Sequence, residues 1–253
     1  MNTFSTSAII LRRIDFGDYD LILTFFTLDR GKISVIAKSA KKSKKRFAGI
    51  LELFSVLQTV CSRGKGLPVL QEASLEQPFI KIRSDIRKTA YASYWAELLN
   101  EWTEEDENQE ELYYLFQYVL QELDIGNIPE ATLSILFQMR FMALSGFYPN
   151  LTHCGICGIE TEKMKKNSVS FDLARGELVC EKCVSEISSH RINISKGTIK
   201  QLLWVGNGDL KKSGRVRFSS QTLKEGLAFS EAFVPYHLGK TPRSLAFLRQ
   251  IRK

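Results

Sequence analysis

The chain has 253 residues, 44% of them hydrophobic, with a formal net charge of +7 and a pI near 9.1. That length and apolar content suffice to bury a core, so disorder is not the default, and one large or two to three small domains are expected. The positive excess favours polyanionic partners and is unevenly spread: Lys and Arg outnumber Asp and Glu by 5 over residues 1–80, fall short by 7 over 81–150, and lead by 9 over 151–253. The start Met-Asn-Thr-Phe-Ser has no basic segment followed by an apolar one, so secretion finds no support and the five cysteines are expected to stay reduced. Charges interrupt every apolar run well short of the roughly 20 residues a spanning helix needs. These features together predict a cytoplasmic protein.

From Thr6 to Leu75, short β-rich runs sit between turn signals: Ala8–Leu11, Leu21–Phe26, Ile33–Ala37, Phe54–Val60 and Pro68–Leu70. The turns fall at Phe16-Gly17-Asp18, Asp29-Arg30-Gly31-Lys32 and Arg63-Gly64-Lys65-Gly66. Five strands in about 70 residues predict a small closed or partly open barrel. Beyond Pro78, apolar positions recur three and four apart, predicting helices over roughly Ile82–Trp102, Gln109–Leu123 and Glu130–Leu144. Thr103–Glu111 reads as a solvated acidic connector, and Gly126-Asn127-Ile128-Pro129 as a helix stop. From His153 the chain turns short and polar. Helical spacing returns through Ile199–Trp204, Leu223–Phe233 and Ser244–Ile251, the last opened by Thr241-Pro242.

Cys154-Gly155-Ile156-Cys157 and Cys180-Glu181-Lys182-Cys183 form two CxxC pairs 22 residues apart. Four thiolates fill the tetrahedral shell of one zinc ion and leave no place for water, which predicts a structural metal rather than a catalytic one. Phe171–Val179 reads as the hairpin that delivers the second pair. Unliganded core thiols and a redox dithiol are the alternatives, and the second lacks its βαβ setting. His153 is either an exposed loop residue or a substitute ligand, and Cys61 reads as core. No Ser-His-Asp order, phosphate loop or carboxylate pair can be assigned, so no catalytic residue is expected.

Lys38, Lys41, Lys42, Lys44, Lys45 and Arg46 place six cations in nine residues directly after a predicted strand. Mutual repulsion keeps such a run in a loop, where it either contacts phosphates or is merely solvated. Arg12, Arg13, Arg30, Lys32, Arg63 and Lys65 lie in or beside neighbouring predicted turns and strands. Phe47 and Phe54 are either base-stacking aromatics or core. Arg215, Arg217, Lys240, Arg243, Arg249, Arg252 and Lys253 offer a second basic surface.

Several stretches carry a family resemblance: Ala8–Leu11, Leu23-Thr24-Phe25-Phe26-Thr27 with Gly31-Lys32, Ala37–Lys42, Leu51-Glu52-Leu53-Phe54 and Arg63–Leu67. It continues through Gly146–Leu151 leading into Cys154–Gly158, Gly176 before Cys180, and Tyr236-His237-Leu238-Gly239 followed by Arg243-Ser244. In order and spacing these resemble the RecO family.

The resemblance implies an α+β multi-domain chain: an N-terminal OB-fold over 1–78, a helical bundle over 79–152, a zinc-binding module over 153–195 and C-terminal helices over 196–253. It also implies DNA repair by a non-enzymatic mediator, associated with the nucleoid, that binds single- and double-stranded DNA and anneals complementary strands. The implied partners are RecR, the C-terminal tail of single-strand-binding protein and, indirectly, RecA. On this chain the phosphate contacts become Lys38, Lys41, Lys42, Lys44, Lys45, Arg46, Arg63 and Lys65, and the Zn²⁺ ligands Cys154, Cys157, Cys180 and Cys183. For the tail, Arg140 is the candidate cation, although Ile135-Leu136 stand where the family often has basic residues; a plain surface arginine is the other reading. A zinc-stabilised RNA-binding adaptor is the alternative function, since OB-folds accept either polymer. A metal-dependent hydrolase is a third reading and requires an open coordination position.

Overall fold

In the computed structural model of the protein, which describes residues 2–43, 45–186 and 190–252, the N-terminal β-rich runs become five strands. These are β1 (Asn2–Phe16), β2 (Asp20–Thr27), β3 (Gly31–Ala37), β4 (Val56–Arg63) and β5 (Val69–Gln77). They close into a barrel of order β1-β2-β3-β5-β4, an OB-fold, with β3 and β5 joined in parallel at Ile36 and Val69. β1 is much longer than its apolar run because it serves two neighbours. Asn2–Ile9 pair with β4, Ala8–Phe16 pair with β2, and a bulge between Ile10 and Arg12 bends the strand from one to the other. Polar residues such as Thr3 and Ser5 are strand-forming here through backbone ladder bonds, which side-chain patterning does not report.

The barrel interior follows the period of two. Leu21, Leu23 and Phe25 from β2 meet Ile33, Val35 and Ala37 from β3, together with Leu57, Cys61 and Leu70. Burial pushes the Cys61 thiol up to about 11, so it is an inert core group. From the β3–β4 connection, Ala40, Phe47 and Leu51 join the same core.

Helices follow the barrel in this compact unit, which takes Met1–Gly126 and Ala246–Lys253. A short α1 (Ile80–Ser84) precedes α2 (Ile86–Trp102), so the helix expected from Ile82 is interrupted. Asp85 causes the break: its carboxylate accepts from the Arg87 and Lys88 N–H groups at 2.8 and 3.1 Å and restarts the helix as a cap. α3 (Glu110–Ile125) lays Tyr113 against the outer barrel surface, 6.1 Å from the Phe26 ring centroid and 2.8 Å from Ser7 Oγ.

The acidic connector is solvated along Glu104–Asn108, as expected, but its backbone is tethered to β3. The Asp106 N–H donates to the Lys32 carbonyl at 3.2 Å, Lys32 bridges Glu105, and Lys32 Nζ donates to the Asn100 carbonyl at 2.7 Å. Its acidic side chains meet solvent while its backbone satisfies groups near the start of β3 that β5 does not reach. Gly31 makes the approach possible. Its φ is +60°, and a Cβ there would lie 1.8 Å from the Glu107 carbonyl oxygen. Gly31→Ala is therefore expected to cost about 2 kcal/mol or more through left-handed strain and a backbone clash, read as a drop in denaturant midpoint. A midpoint equal to that of the wild type would mean that the connector does not need this contact.

The second compact unit runs from Asn127 to Leu245. Its first helix, α4 (Glu130–Leu144), is buried on nearly every side, including Leu133, Ile135, Leu136, Phe137, Met139 and Phe141, and packs against α5 (Lys196–Asn207) and α7 (Ser220–Leu238). A short α6 (Leu210–Ser213) follows α5; α8 (Arg243–Ile251) starts just after Thr241-Pro242, and its residues from Ala246 on belong to the first unit. The polar cysteine-bearing segment holds β7 (Ser168–Asp172) and β8 (Glu177–Val179) in the region of the expected hairpin, and two strands that its composition did not reveal, β6 (Asn150–Cys154) and β9 (Arg191–Ser195), in sheet order β6-β8-β7-β9. Phe171 of β7 ties this sheet to α7, with ring centroids 4.9 Å from Phe229 and 5.6 Å from Phe233.

Glu225 of α7 pins the start of α5. It accepts from Ser195 Oγ and Thr198 Oγ1 at 2.6 Å each and from the Ser195 N–H and Gln221 Nε2 at 3.0 Å each. Burial alone would raise its carboxyl, but these bonds outweigh burial and bring it from the ordinary 4.5 down to about 2. A carboxyl depressed in the folded state stabilises above its unfolded pKa, and that contribution fades as pH falls from about 4.5 towards 2. Glu225→Gln is accordingly expected to lower the unfolding midpoint at pH 7 and to match the wild type near pH 2; a constant difference across pH would contradict this account. Among the described residues, no helix is long and apolar enough to cross a membrane.

A candidate thiolate metal centre and a candidate nucleic-acid interface

β6 and β8 lie side by side in parallel, with Cys154 in register with Leu178, so the two CxxC turns emerge at the same end of the sheet. The first turn is closed by the Gly158 N–H on the Cys154 carbonyl at 2.9 Å, with Gly158 at φ +74°. The second is closed by the Cys183 N–H on the Cys180 carbonyl at 3.1 Å. The four Sγ atoms lie within 4.8 Å of one another, and Cys157 and Cys180 are 3.6 Å apart. A tetrahedron with metal–sulfur bonds of about 2.3 Å has edges of about 3.8 Å, so the donor set fits one thiophilic ion. The hairpin expected over Phe171–Val179 is formed by β7 and β8.

Burial works against a thiolate at Cys154, but N–H groups of Cys157, Cys180 and Ile156 more than offset it and bring the thiol down to about 7. Burial and the Cys180 and Cys157 sulfurs push Cys183 the other way, to about 12. Further negative charge in the cluster requires a cation. His153 is not needed as a ligand: its ring nitrogens lie 3.2 Å from Asn150 Nδ2 and 2.9 Å from Thr152 Oγ1.

The cationic run occupies the β3–β4 connection and is held at both ends. Ala40 and Phe47 insert into the barrel core, 8% and 3% exposed, and the exposed Lys41, Lys42, Lys45 and Arg46 lie between them. Lys38, also exposed, has its carbonyl bound by Arg46 Nη2 at 2.8 Å. The run is also joined to the β1–β2 turn. The Ser39 N–H donates to Asp20 Oδ1 at 2.7 Å, the Lys41 N–H to the Tyr19 carbonyl at 3.0 Å, and Lys42 Nζ sits 3.2 Å from the Tyr19 ring centroid. Lys41 Nζ is 2.9 Å from Asp15, and this contact holds the Asp15 carboxyl below its usual range. Lys44 lies outside the described residues.

The remaining sequence candidates have different settings. Lys65 is exposed in the β4–β5 turn, whose Pro68 carbonyl accepts from the Ile36 N–H at 2.9 Å. Arg63 is diverted: it pairs with Asp106 at 3.5 Å and stands 5.6 Å from the Phe4 ring centroid. Phe47 and Phe54 are core, 3% and 1% exposed, and present no face to a base. Arg140 is neither a free cation nor a plain surface residue. Its Nε donates to the Val205 carbonyl at 2.7 Å and its Nη2 to the Gly208 carbonyl and Ser213 Oγ, and burial lowers its pKa. Sequence reasoning missed Phe16 and Tyr19, aromatics 51% and 45% exposed at the β1–β2 turn; the tight Gly17 turn beside them was the available signal.

Fold and site define an OB-fold protein with accompanying helices and a four-cysteine cluster that could hold a metal ion. The comparisons narrow this class. The model of the recombination protein O N-terminal region matches residues 1–79, and that of the recombination protein O C-terminal region matches 83–246. The chain is 46% identical over 258 residues to a DNA repair protein RecO of Desulfosudis oleivorans, covering all of this chain and 99% of the relative. A RecO of Desulfatibacillum aliphaticivorans is 45% identical over 256 residues, with the same coverage, and one of Listeria monocytogenes is 29% identical over 97% of this chain and 93% of its own. The chain belongs to the RecO family of DNA repair proteins.

Proposed function

We propose that this chain is a recombination mediator that binds single- and double-stranded DNA and anneals complementary strands. In this reading it works with RecR to load RecA onto DNA coated with single-strand-binding protein, and one Zn²⁺ held by Cys154, Cys157, Cys180 and Cys183 stabilises the second unit. The observation that carries the DNA reading is the cationic connection of the OB-fold, exposed between two buried anchors in a chain of the RecO family. Cations fixed on a barrel surface neutralise phosphates and release counterions without reading sequence. Annealing follows from that chemistry: two neutralised strands lose their mutual repulsion, and base pairing supplies the free energy.

For the acidic tail of single-strand-binding protein, the reading does not use Arg140, whose donors are engaged internally. A groove lined by Ile128, Pro129, Val216 and Phe218, with Arg215 and Arg217, has the apolar floor and cations that such a tail requires.

The test is annealing of complementary oligonucleotides coated with single-strand-binding protein, comparing the wild type with a Lys41→Ala, Lys42→Ala, Lys44→Ala, Lys45→Ala variant. Activity in the wild type alone supports the mediator reading with DNA on the barrel. Equal activity would move the DNA surface away from it. No annealing by a folded, metal-loaded wild type, together with preference for RNA in an equal-length competition, would replace the reading with an RNA-binding adaptor.

A further inference from the structure

The outer surface of the barrel is covered in one region and bare in another. Phe26, an outward residue of β2, is fully buried beneath Tyr113 of α3. Two and four residues earlier on the same face of β2 stand Thr24 and Ile22. Ile22 is paired directly with Ile14 of β1 and Ile36 of β3, and Ile36 in turn with Val69 of β5. Cross-strand partners project from the same side of a sheet, so these four form one aliphatic row across four strands, about 14 Å long at the usual strand spacing, with Ile22, Ile36 and Val69 half-buried. Ile14 is 37% exposed, and Phe16, next on that face of β1, is 51% exposed. Tyr19 follows in the turn at 45%.

The chemistry around the row selects among occupants. Arg12 shares the face of Ile14 and Phe16, Lys38 follows Ile36 by two residues, and the Lys42 ammonium lies on the Tyr19 ring. Of the nearby carboxylates, Asp15 is engaged by Lys41 and Asp20 by the Ser39 N–H, while Asp18, between Phe16 and Tyr19, is exposed in the turn. An apolar strip with two half-exposed aromatics, bordered by cations, suits a polymer with flat apolar faces and an anionic backbone. Duplex DNA hides its base faces and cannot use the strip.

We propose that this row is a platform for unpaired bases, with Phe16 and Tyr19 as the stacking residues that give the barrel a preference for single strands. The proposal rests on the DNA-binding reading above. Phosphates are held by the flanking cations, the bases turn onto the Phe16 ring and the aliphatic row, and a base arriving on Tyr19 displaces the Lys42 ammonium towards the backbone. Recognition is tolerant of sequence because every base offers a flat face.

The test measures binding by fluorescence anisotropy to an oligothymidylate, an abasic strand of equal length and a duplex of equal length. The proteins are the wild type, a Phe16→Ala, Tyr19→Ala variant and a Phe16→Trp variant, each checked by thermal melting. The wild type is expected to bind oligothymidylate about tenfold more tightly than the abasic strand, and the double variant to bind both with the wild type's abasic affinity. Duplex affinity should change less than twofold in every protein, and Phe16→Trp should keep the discrimination. Equal wild-type affinity for the abasic and thymidine strands would overturn the platform while leaving DNA binding intact, as would a double variant that still discriminates. Failure of the folded wild type to bind any of the three would overturn the DNA reading and the platform with it.

Discussion

Stripping the metal, or replacing Cys180 with Ser, is expected to unfold the sheet β6–β9 rather than to alter an activity subtly. The four thiols converge from two turns that only the short β6–β8 pairing otherwise holds together, and thiolate charges repel where no cation offsets them. The apparent binding free energy of structural zinc in small peptides is about 10–16 kcal/mol, comparable with or above the entire stability of a typical domain, about 5–15 kcal/mol. Loss should therefore be cooperative. Because Phe171 of β7 packs on Phe229 and Phe233, it should extend to α7. Far-ultraviolet circular dichroism with increasing chelator is expected to show a transition whose midpoint tracks chelator strength, with one metal released per chain. Cobalt substitution should give the absorption of a four-thiolate tetrahedral site. An unchanged spectrum and melting profile after verified metal removal would refute a structural role.

The four-cysteine cluster was legible in sequence because CxxC spacing is a local constraint: two thiols from one turn need only a knuckle, and each knuckle is written in contiguous residues. The strands that bring the knuckles together were not. β6 and β9 carry Asn150, Thr152, His153, Arg191 and Asn193, and only their ladder partners make strands of them. The same limit hid most of β1, whose Thr3–Ser7 segment is polar apart from Phe4 and is held by β4. Cations at 38–46 could be placed in a loop from repulsion alone, yet the anchoring by Ala40 and Phe47 depends on a core that exists only once the barrel closes. Arg140 shows the converse error. Its charge suggested a ligand, while its environment, carbonyls of Val205 and Gly208 brought in from more than 60 residues away, makes it a strap for the end of α5.

The salt dependence of DNA binding should separate the cationic connection from the apolar row. Each phosphate neutralised on a single strand contributes about 0.7 to the slope of log affinity against log salt. Replacing the exposed Lys38, Lys42, Lys45 and Arg46 with Ala is expected to flatten that slope by up to about 3 and to weaken binding most at low salt. Lys41 should behave differently from its neighbours. Its ammonium is held by Asp15, and binding a phosphate requires exchanging one anion for another. Asp15→Asn therefore leaves Lys41 free and is expected to raise affinity at low salt, whereas Lys41→Ala alone costs less than Lys42→Ala. Arg63, already paired with Asp106, should also contribute little. Stacking on Phe16 releases no counterions, so its loss should lower affinity equally at all salt concentrations and leave the slope unchanged. A quadruple variant that loses affinity with its slope intact would show that these cations act on the fold of the β3–β4 connection rather than on phosphate, and would move the electrostatic contact to another surface.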